Sequence, residues 1–224
     1  MLSLVYNQGF RYHQFSDLAL SCGRGHGKLM ASKIEPRILD AAIALFADYG
    51  YFGVTTRDVA HKARVTEGSI YRLFRSKDNL FESSLDTVID HLLDPAQFLL
   101  MIFENRQKQD FFSAISSPIR RWYSSLTCQS ARLLIQASLS KNEKWRRAAY
   151  APLEKIIGIL AGSMERETTK TQQRRFNANT VARALILALF QFKVTSSAPR
   201  STKEEGEQFE GILQHWLHGL TVLM

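Results

Sequence analysis

Residues 57–74 of the chain read Arg57-Asp58-Val59-Ala60-His61-Lys62-Ala63-Arg64-Val65-Thr66-Glu67-Gly68-Ser69-Ile70-Tyr71-Arg72-Leu73-Phe74. Apolar residues fall at helical spacing over positions 59–63 and again over positions 70–74. The segment 64–66 breaks the pattern between them. The stretch therefore predicts two short helices joined by a tight turn, which is the outline of a helix-turn-helix.

Capping residues indicate where each helix begins. Thr55 and Asp58 have the spacing of a capping box, so we expect the first helix to begin at Thr56. Thr66 is a good N-cap for the second helix, whose first residues are small or polar and can approach a DNA backbone closely. A third helix is needed for these two to pack on, and the apolar run 38–49, closed by Gly50, supplies it.

This region resembles the N-terminal DNA-binding domain of the tetracycline-repressor (TetR) family of bacterial transcription regulators. The resemblance runs from about Ser32 to His91 without a break in spacing. One departure is Arg64, where the family usually has Gly; if the position is left-handed, a side chain there costs roughly 1 kcal/mol or more. Two explanations stay open: the turn differs slightly from that of the family, or Arg64 recovers the cost by reaching a phosphate. The matching residues are Ile38-Leu39-Asp40-Ala41-Ala42, Leu45-Phe46, Tyr49-Gly50-Tyr51, Thr55-Thr56, Val59-Ala60, Gly68-Ser69-Ile70-Tyr71, Phe74, Ser76-Lys77-Asp78 and Leu80.

The resemblance implies two kinds of DNA contact. Positions that hold phosphates in the family are occupied here by Thr56, Thr66, Tyr71 and Lys77, and positions that face base edges by Glu67, Gly68 and Arg72. An alternative for Tyr71 and Arg72 is packing on the first helix or pairing with a surface carboxylate. The whole predicted DNA-binding set is Thr55, Thr56, Arg57, Arg64, Val65, Thr66, Glu67, Gly68, Ser69, Tyr71, Arg72, Leu73 and Lys77.

Composition agrees with this interpretation without requiring it. The 224 residues carry a net charge of +8 and are 45% hydrophobic, which suits one or two soluble domains. Residues 57–77 concentrate six basic side chains against two acidic ones. A basic chain alone fits nucleic acid, an anionic membrane surface or an ordinary solvated surface, but beside the motif this cluster is typical of a phosphate-binding footprint.

Neither a metal site nor a cofactor is expected. Cys22 and Cys128 lie far apart, and we see no secretory signal, so a reduced cytoplasm is the default location. Cys22 and His26 alone do not make a metal site. No Gly-rich phosphate loop, nucleophile elbow or paired-carboxylate motif is apparent, which disfavours an enzyme, and no apolar run is long enough for a membrane span.

Residues 1–31 form an N-terminal arm in this interpretation, ahead of a DNA-binding domain over 32–92 and an effector-binding and dimerisation domain over 93–224. The arm mixes isolated aromatics with a Gly-rich end. Three explanations stay open: a disordered arm, a true start at Met30, or a basic arm that reaches a DNA groove through Arg24 and Lys28.

Residues 93–224 show helical periodicity and few strand signals, so the predicted fold is all-α, a helix-turn-helix domain followed by a helical bundle. Segments 178–194 and 207–223 are apolar on so much of their surface that both must be largely buried. They could form the core of a monomer, but the resemblance implies a four-helix dimer interface. The predicted interface comprises Val181, Leu185, Ala188, Leu189, Phe192, Phe209, Leu213, Trp216 and Leu220.

The middle helices are rich in aromatic residues. These side chains suit either the core or an apolar pocket for a small apolar or amphipathic effector. The candidate pocket residues are Phe98, Phe103, Trp122, Tyr123, Arg132 and Gln136.

Together these observations predict a homodimeric transcription repressor that binds a nearly palindromic operator and is released by a small molecule. In the family picture the effector tilts the helix that begins near Lys77 and so changes the spacing of the two reading helices. The alternatives are a basic helical adaptor that acts through protein contacts and, with less support, an enzyme.

Overall fold

The computed structural model describes residues 27–107, 110–171, 177–195 and 202–223. These ranges hold helices and turns and no strand, which confirms the all-α prediction. None of these helices is long and apolar enough to cross a membrane. The helices are α1 (Gly27–Tyr49), α2 (Thr56–Ala63), α3 (Glu67–Phe74), α4 (Lys77–His91), α5 (Pro95–Arg106), α6 (Phe111–Ser125), α7 (Cys128–Ser138), α8 (Glu143–Thr171), α9 (Ala178–Thr195) and α10 (Thr202–Leu223).

The chain divides into two compact units, Met1–Ile34 and Glu35–Met224, and the second contains every site described below. Most of the predicted N-terminal arm, including Cys22, Arg24 and His26, lies outside the described residues. Helix α1 begins at Gly27, inside the segment that we expected to be an arm. The predicted domain boundary at residue 92 falls within the second unit and stays a prediction.

The first three helices form as their capping residues predict. Thr55 and Asp58 make the reciprocal capping box, and α2 begins at Thr56. Gly50 ends α1 with a positive φ of 70°, and its N–H donates to the Phe46 carbonyl at 3.0 Å. The three helices bury a common core because their apolar faces meet; its members are Ile38, Ala42, Phe46, Val59, Ala63, Ile70 and Phe74.

A cluster of aromatic rings ties α8 to the helix-turn-helix. The Trp145 ring lies 4.5 Å from the Phe81 ring and 4.9 Å from the Tyr51 ring, measured between centroids. The Trp145 indole N–H donates to Glu82 on α4 at 2.9 Å, and Lys144 donates to the same carboxylate at 2.6 Å. Burial opposes ionisation of Glu82, but these two bonds outweigh it and lower the pKa of the carboxyl.

Helix α9 belongs to the core of its own chain. It packs against α8 and α7, and Leu185 and Leu189 are fully buried there, as the monomer-core alternative expected. Ala188 is exposed on the opposite face. In the rest of the predicted dimer interface, Leu213 and Phe209 are buried, Val181, Phe192 and Trp216 are half-buried, and the side chain of Leu220 lies outside the described part.

Charged hydrogen bonds hold α10 against α6 and α9. Arg120 donates through Nε and Nη2 to the two oxygens of Glu210, at 2.6 and 2.9 Å. Lys193 Nζ and the Tyr123 hydroxyl both donate to Glu205 Oε1, at 2.6 and 3.0 Å. The bond from Lys193, followed by that from Tyr123, lowers the pKa of Glu205, and Arg120 lowers the pKa of Glu210.

We predict that these carboxylates make the fold acid-sensitive. Because their pKa values are lowered by folding, their contribution is complete above the ordinary glutamate pKa and is lost as the pH falls through the lowered values. Glu205→Gln should lower Tm at pH 7 by a few degrees, since 1 kcal/mol shifts Tm by about 2–4 °C in a chain of this size. It should also narrow the Tm difference between pH 7 and pH 4 in circular dichroism melts.

Glu207→Gln is the matched control, because Glu207 is exposed on the same helix. It should melt like the unaltered chain at both pH values. An unchanged pH dependence in Glu205→Gln would show that this carboxylate does not hold α10.

Candidate nucleic-acid interface

Helix α3 shows one face to the core and the other to solvent. Ile70 and Phe74 are 1% and 5% exposed, so they fix the helix against its neighbours α2 and α4. Tyr71 is 49% exposed, and Arg72 is also exposed. A rigid helix therefore presents a phenol and a guanidinium outward, which is the arrangement that groove binding requires.

Gly68 lies at the exposed start of α3 and has open space in front of it. A Cβ added there would meet no heavy atom within 4 Å. The fold itself therefore does not require a glycine at this position. The missing side chain of Gly68 matters only to a molecule that approaches α3 from solvent. This agrees with the expectation from the sequence that the start of α3 comes close to a DNA backbone.

Thr56 and Glu67 are joined to each other across the helix-turn-helix. The Thr56 hydroxyl is almost buried and donates to Glu67 Oε1 at 2.5 Å, with the Tyr71 hydroxyl 3.4 Å away. Arg57 Nε lies 4.0 Å from Glu67 Oε2. The sequence predicted separate roles for Thr56 at a phosphate and Glu67 at a base edge. In the structure their polar groups satisfy one another.

Thr66 occupies the N-cap position of α3, as predicted, but its hydroxyl does not cap the helix. It lies 2.9 Å from the Ser69 hydroxyl instead. Both hydroxyls remain at the surface end of α3, where backbone N–H groups are also available. The start of α3 thus offers several polar groups to an anion.

Both turns around α3 contain an arginine with positive φ. Arg64 is left-handed at φ 54° and ψ 49°, so the conformation that the sequence raised as a condition is present. Arg75, which is not among the DNA-binding residues predicted from the sequence, has φ 65° and ψ −35°. It is the centre of a γ-turn in which Ser76 N–H donates to the Phe74 carbonyl at 2.7 Å. Each strained conformation costs on the order of 1–3 kcal/mol.

Lys77, the predicted phosphate contact at the start of α4, is positioned by an aromatic ring. Its Nζ lies 4.2 Å from the centroid of Tyr51, and partial burial lowers the pKa of the ammonium. Tyr51 in turn donates its hydroxyl to Asp78. Burial first, and then the bond to Asp78, raises the pKa of Tyr51 to about 12, so the phenol stays protonated. Tyr51 was noted only as a family match, and its supporting role depends on the tertiary fold.

The other predicted DNA-binding residues are placed as follows. Thr55 is engaged in the capping box, Ser69 pairs with Thr66, and Val65 and Leu73 are half-buried beside the turn. Arg37, which is not among the predicted DNA-binding residues, donates to the Ala63 carbonyl at 2.7 Å at the end of α2.

The six predicted pocket residues are not gathered around one cavity. Phe98 and Trp122 are fully buried, whereas Phe103 is 64% exposed. Tyr123 is held by Glu205 and stacks on Phe209 at 4.2 Å. Aromatic content grouped these residues in the sequence, but the fold divides them between core, surface and the α10 contact.

Arg132 and Gln136 lie on α7, near the end of α1. Arg132 donates to Asp48 at 3.1 Å and to the Val194 carbonyl at 3.3 Å. A Cβ added at Gly50 would lie 3.0 Å from Gln136 Oε1. None of the six predicted residues lines the apolar cavity of about 390 Å³ between α7, α8 and α9, which is bordered by Leu134, Leu139, Tyr150, Leu153, Leu187 and Phe190.

Comparison with known proteins agrees with the helix-turn-helix geometry. The sequence profile of the bacterial regulatory proteins of the tetR family matches residues 38–83. The chain is 47% identical over 49 residues to YvkB, an HTH-type transcriptional regulator of Bacillus subtilis. That match covers 22% of this chain and 26% of YvkB, so it spans only about a quarter of the relative.

Solved structures resemble the fold over most of the chain. NalD of Pseudomonas aeruginosa, the secondary repressor of the MexAB-OprM multidrug efflux pump, matches with a TM-score of 0.55 and 22% identity, covering 84% of this chain and 97% of NalD. FadR of Bacillus subtilis, a transcriptional regulator solved with stearoyl-CoA, matches with a TM-score of 0.56 and 19% identity, covering 82% and 98%. Residues 38–83 thus match the bacterial regulatory proteins of the tetR family, and these solved regulators share the fold of most of the chain.

Proposed function

We propose that the chain is a sequence-specific, DNA-binding transcriptional repressor. This proposal rests on the placement of α3. One face of the helix is buried in the core, and the other presents Gly68, Tyr71 and Arg72 to solvent. The match of residues 38–83 to the tetR family supports the DNA-binding role, and NalD, a structural neighbour, is a repressor. The fold and the matched helix-turn-helix are those of regulators, so we assign no enzymatic activity. A cytoplasmic location follows from a role at the chromosome.

DNA binding requires one rearrangement at the interface. For Thr56 to hold a phosphate, its hydroxyl must exchange the Glu67 carboxylate for a phosphate oxygen. Glu67 is then released beside the groove, where a carboxylate can accept from a cytosine amino group. Tyr71, already 3.4 Å from the Thr56 hydroxyl, can join it at the same phosphate. The internal bond thus holds the site ordered until DNA replaces it.

We propose that the repressor acts as a homodimer on a nearly palindromic operator. One eight-residue reading helix makes few base contacts, and two copies related by a two-fold axis double them. The exposed face of α9, with Ala184, Leu187 and Ala188, is the surface that a partner can cover without disturbing the core. Half-buried Val181 and Trp216 lie at the margins of the last two helices.

We further propose that a small apolar or amphipathic effector lowers the affinity for DNA. FadR, solved with stearoyl-CoA, shows that this fold accepts such a ligand in a related regulator. The apolar cavity between α7, α8 and α9 is a better candidate site than the six residues predicted from the sequence. The effector can change DNA affinity only by as much as its own affinity differs between the DNA-binding and the released state of the protein, typically about 1–3 kcal/mol.

The first test of the function uses Gly68→Ala. The added methyl group has open space in the free protein, so the free energy of unfolding should be unchanged or slightly raised. In the complex the same methyl group separates α3 from DNA, so affinity for the DNA upstream of the chain's own gene should fall at least tenfold in a gel-shift titration.

Gly158→Ala is the matched control, because it lies on α8 with the same open space in front of it. It should leave DNA affinity unchanged. If Gly68→Ala binds the upstream fragment as tightly as Gly158→Ala, α3 does not approach DNA at Gly68.

Lys77→Ala and Arg72→Ala should separate positioning from base reading. Lys77→Ala removes a phosphate contact, so it should weaken binding to operator and random DNA alike. It should also reduce the magnitude of the salt slope, the change of log K with log salt concentration, by about 1. Arg72→Ala should cost about 1–3 kcal/mol on the operator and relax the preference at one base pair. Equal losses for Arg72→Ala on both DNAs would make it a phosphate contact.

Assembly can be tested on the exposed face of α9. Ala188→Glu places a charge where the monomer has room, so the variant should fold and sediment as a monomer at concentrations where the unaltered chain is dimeric. Leu185→Glu is the contrasting variant, because Leu185 is fully buried and the charge should unfold the chain. A dimeric Ala188→Glu would place the interface elsewhere.

A further inference from the structure

Two arginines with strained backbone conformations flank α3, and no contact of their side chains within the described residues explains why arginine occupies these positions. Arg64 and Arg75 both have positive φ, and both side chains are exposed. Within the described residues neither guanidinium has a hydrogen-bond or ion-pair partner. Glycine adopts these backbone conformations without strain, so the fold alone favours Gly at both positions.

The turn at Arg75 shows most clearly that the backbone conformation is required while the arginine side chain is not. Only Arg75 and Ser76 separate the end of α3 from the start of α4, and Ser76 caps α4 by accepting from the Asn79 N–H at 3.1 Å. The chain must reverse within one residue, which produces the γ-turn at Arg75. The turn is therefore required by the fold, whereas the arginine side chain on it is not.

The length of α3 gives these side chains a common target. Eight residues at 1.5 Å per residue make a helix about 12 Å long, and the major groove of DNA is about 12 Å wide. A cation just beyond each end of such a helix lies at a wall of the groove, where the phosphates are. Arginine suits such a contact because its planar guanidinium can bind a phosphate through two parallel hydrogen bonds, whereas the ammonium of lysine acts as a point charge.

We propose that Arg64 and Arg75 are a pair of phosphate contacts that bracket α3, one at each wall of the major groove. This inference rests on the proposed DNA-binding function and adds to it the residues that set how α3 lies in the groove. Arg75 is a new member of the interface, and the strain at both positions is retained because the side chains bind DNA.

The experiment measures stability and DNA affinity on the full chain with Arg64→Gly, Arg75→Gly and Arg75→Lys. The probe is a fluorescein-labelled 30-base-pair duplex of random sequence, followed by anisotropy between 50 and 200 mM NaCl. Each glycine variant should raise Tm, because strain is relieved, while lowering the magnitude of the salt slope by about 0.9 and affinity by about eightfold at 0.1 M salt. Arg75→Lys keeps the charge and should keep the slope.

Arg121→Ala controls for loss of charge elsewhere, since Arg121 is exposed on α6. It should leave the slope unchanged. If the unaltered chain fails to bind both the random duplex and the upstream fragment, the proposed function is wrong. If the unaltered chain binds and the glycine variants keep its slope, the function stands and this inference is overturned. A loss of affinity accompanied by a lower Tm would also overturn it, by assigning the arginines a structural role.

Discussion

The burial of Ile70 and Phe74 is the interaction on which the candidate site depends. A helix of eight residues is not stable in water by itself, so α3 exists only because these two side chains are inserted into the core beside α2 and α4. That insertion also fixes the rotation of the helix about its axis. The outward direction of Tyr71 and Arg72 is therefore set by apolar packing on the opposite face.

Local signals predicted much of this domain. The capping box at Thr55 and Asp58, the helix end at Gly50 and the periodicity of the apolar residues each depend on neighbours within a few positions, and each is confirmed. The all-α fold followed from the same periodicity. The left-handed conformation of Arg64 could be raised as a condition because the resemblance marked a position that usually holds Gly.

The rest depended on contacts between distant parts of the chain. No spacing rule connects the residues that form three of these contacts. They are the Thr56–Glu67 hydrogen bond, the Tyr51 ring beneath Lys77 and the bond from Lys193 to Glu205. Because no glycine stands at the γ-turn of Arg75, no local signal in the sequence marks this turn. Composition likewise could not divide the aromatic residues of the middle helices into core and surface, because that division is made by packing.

The contacts of Trp145 have a consequence for how such a regulator can move. The indole packs at a tilt against Tyr51 and Phe81 and donates to Glu82, while Arg132 joins α7 to Asp48 at the end of α1. Moving α1, Tyr51 and α4 as a group away from α7 and α8 would break these contacts together, so each subunit resists hinging between these two groups of helices. In a dimer of such subunits, the distance between the two reading helices changes most readily by rotation of whole subunits about their shared interface.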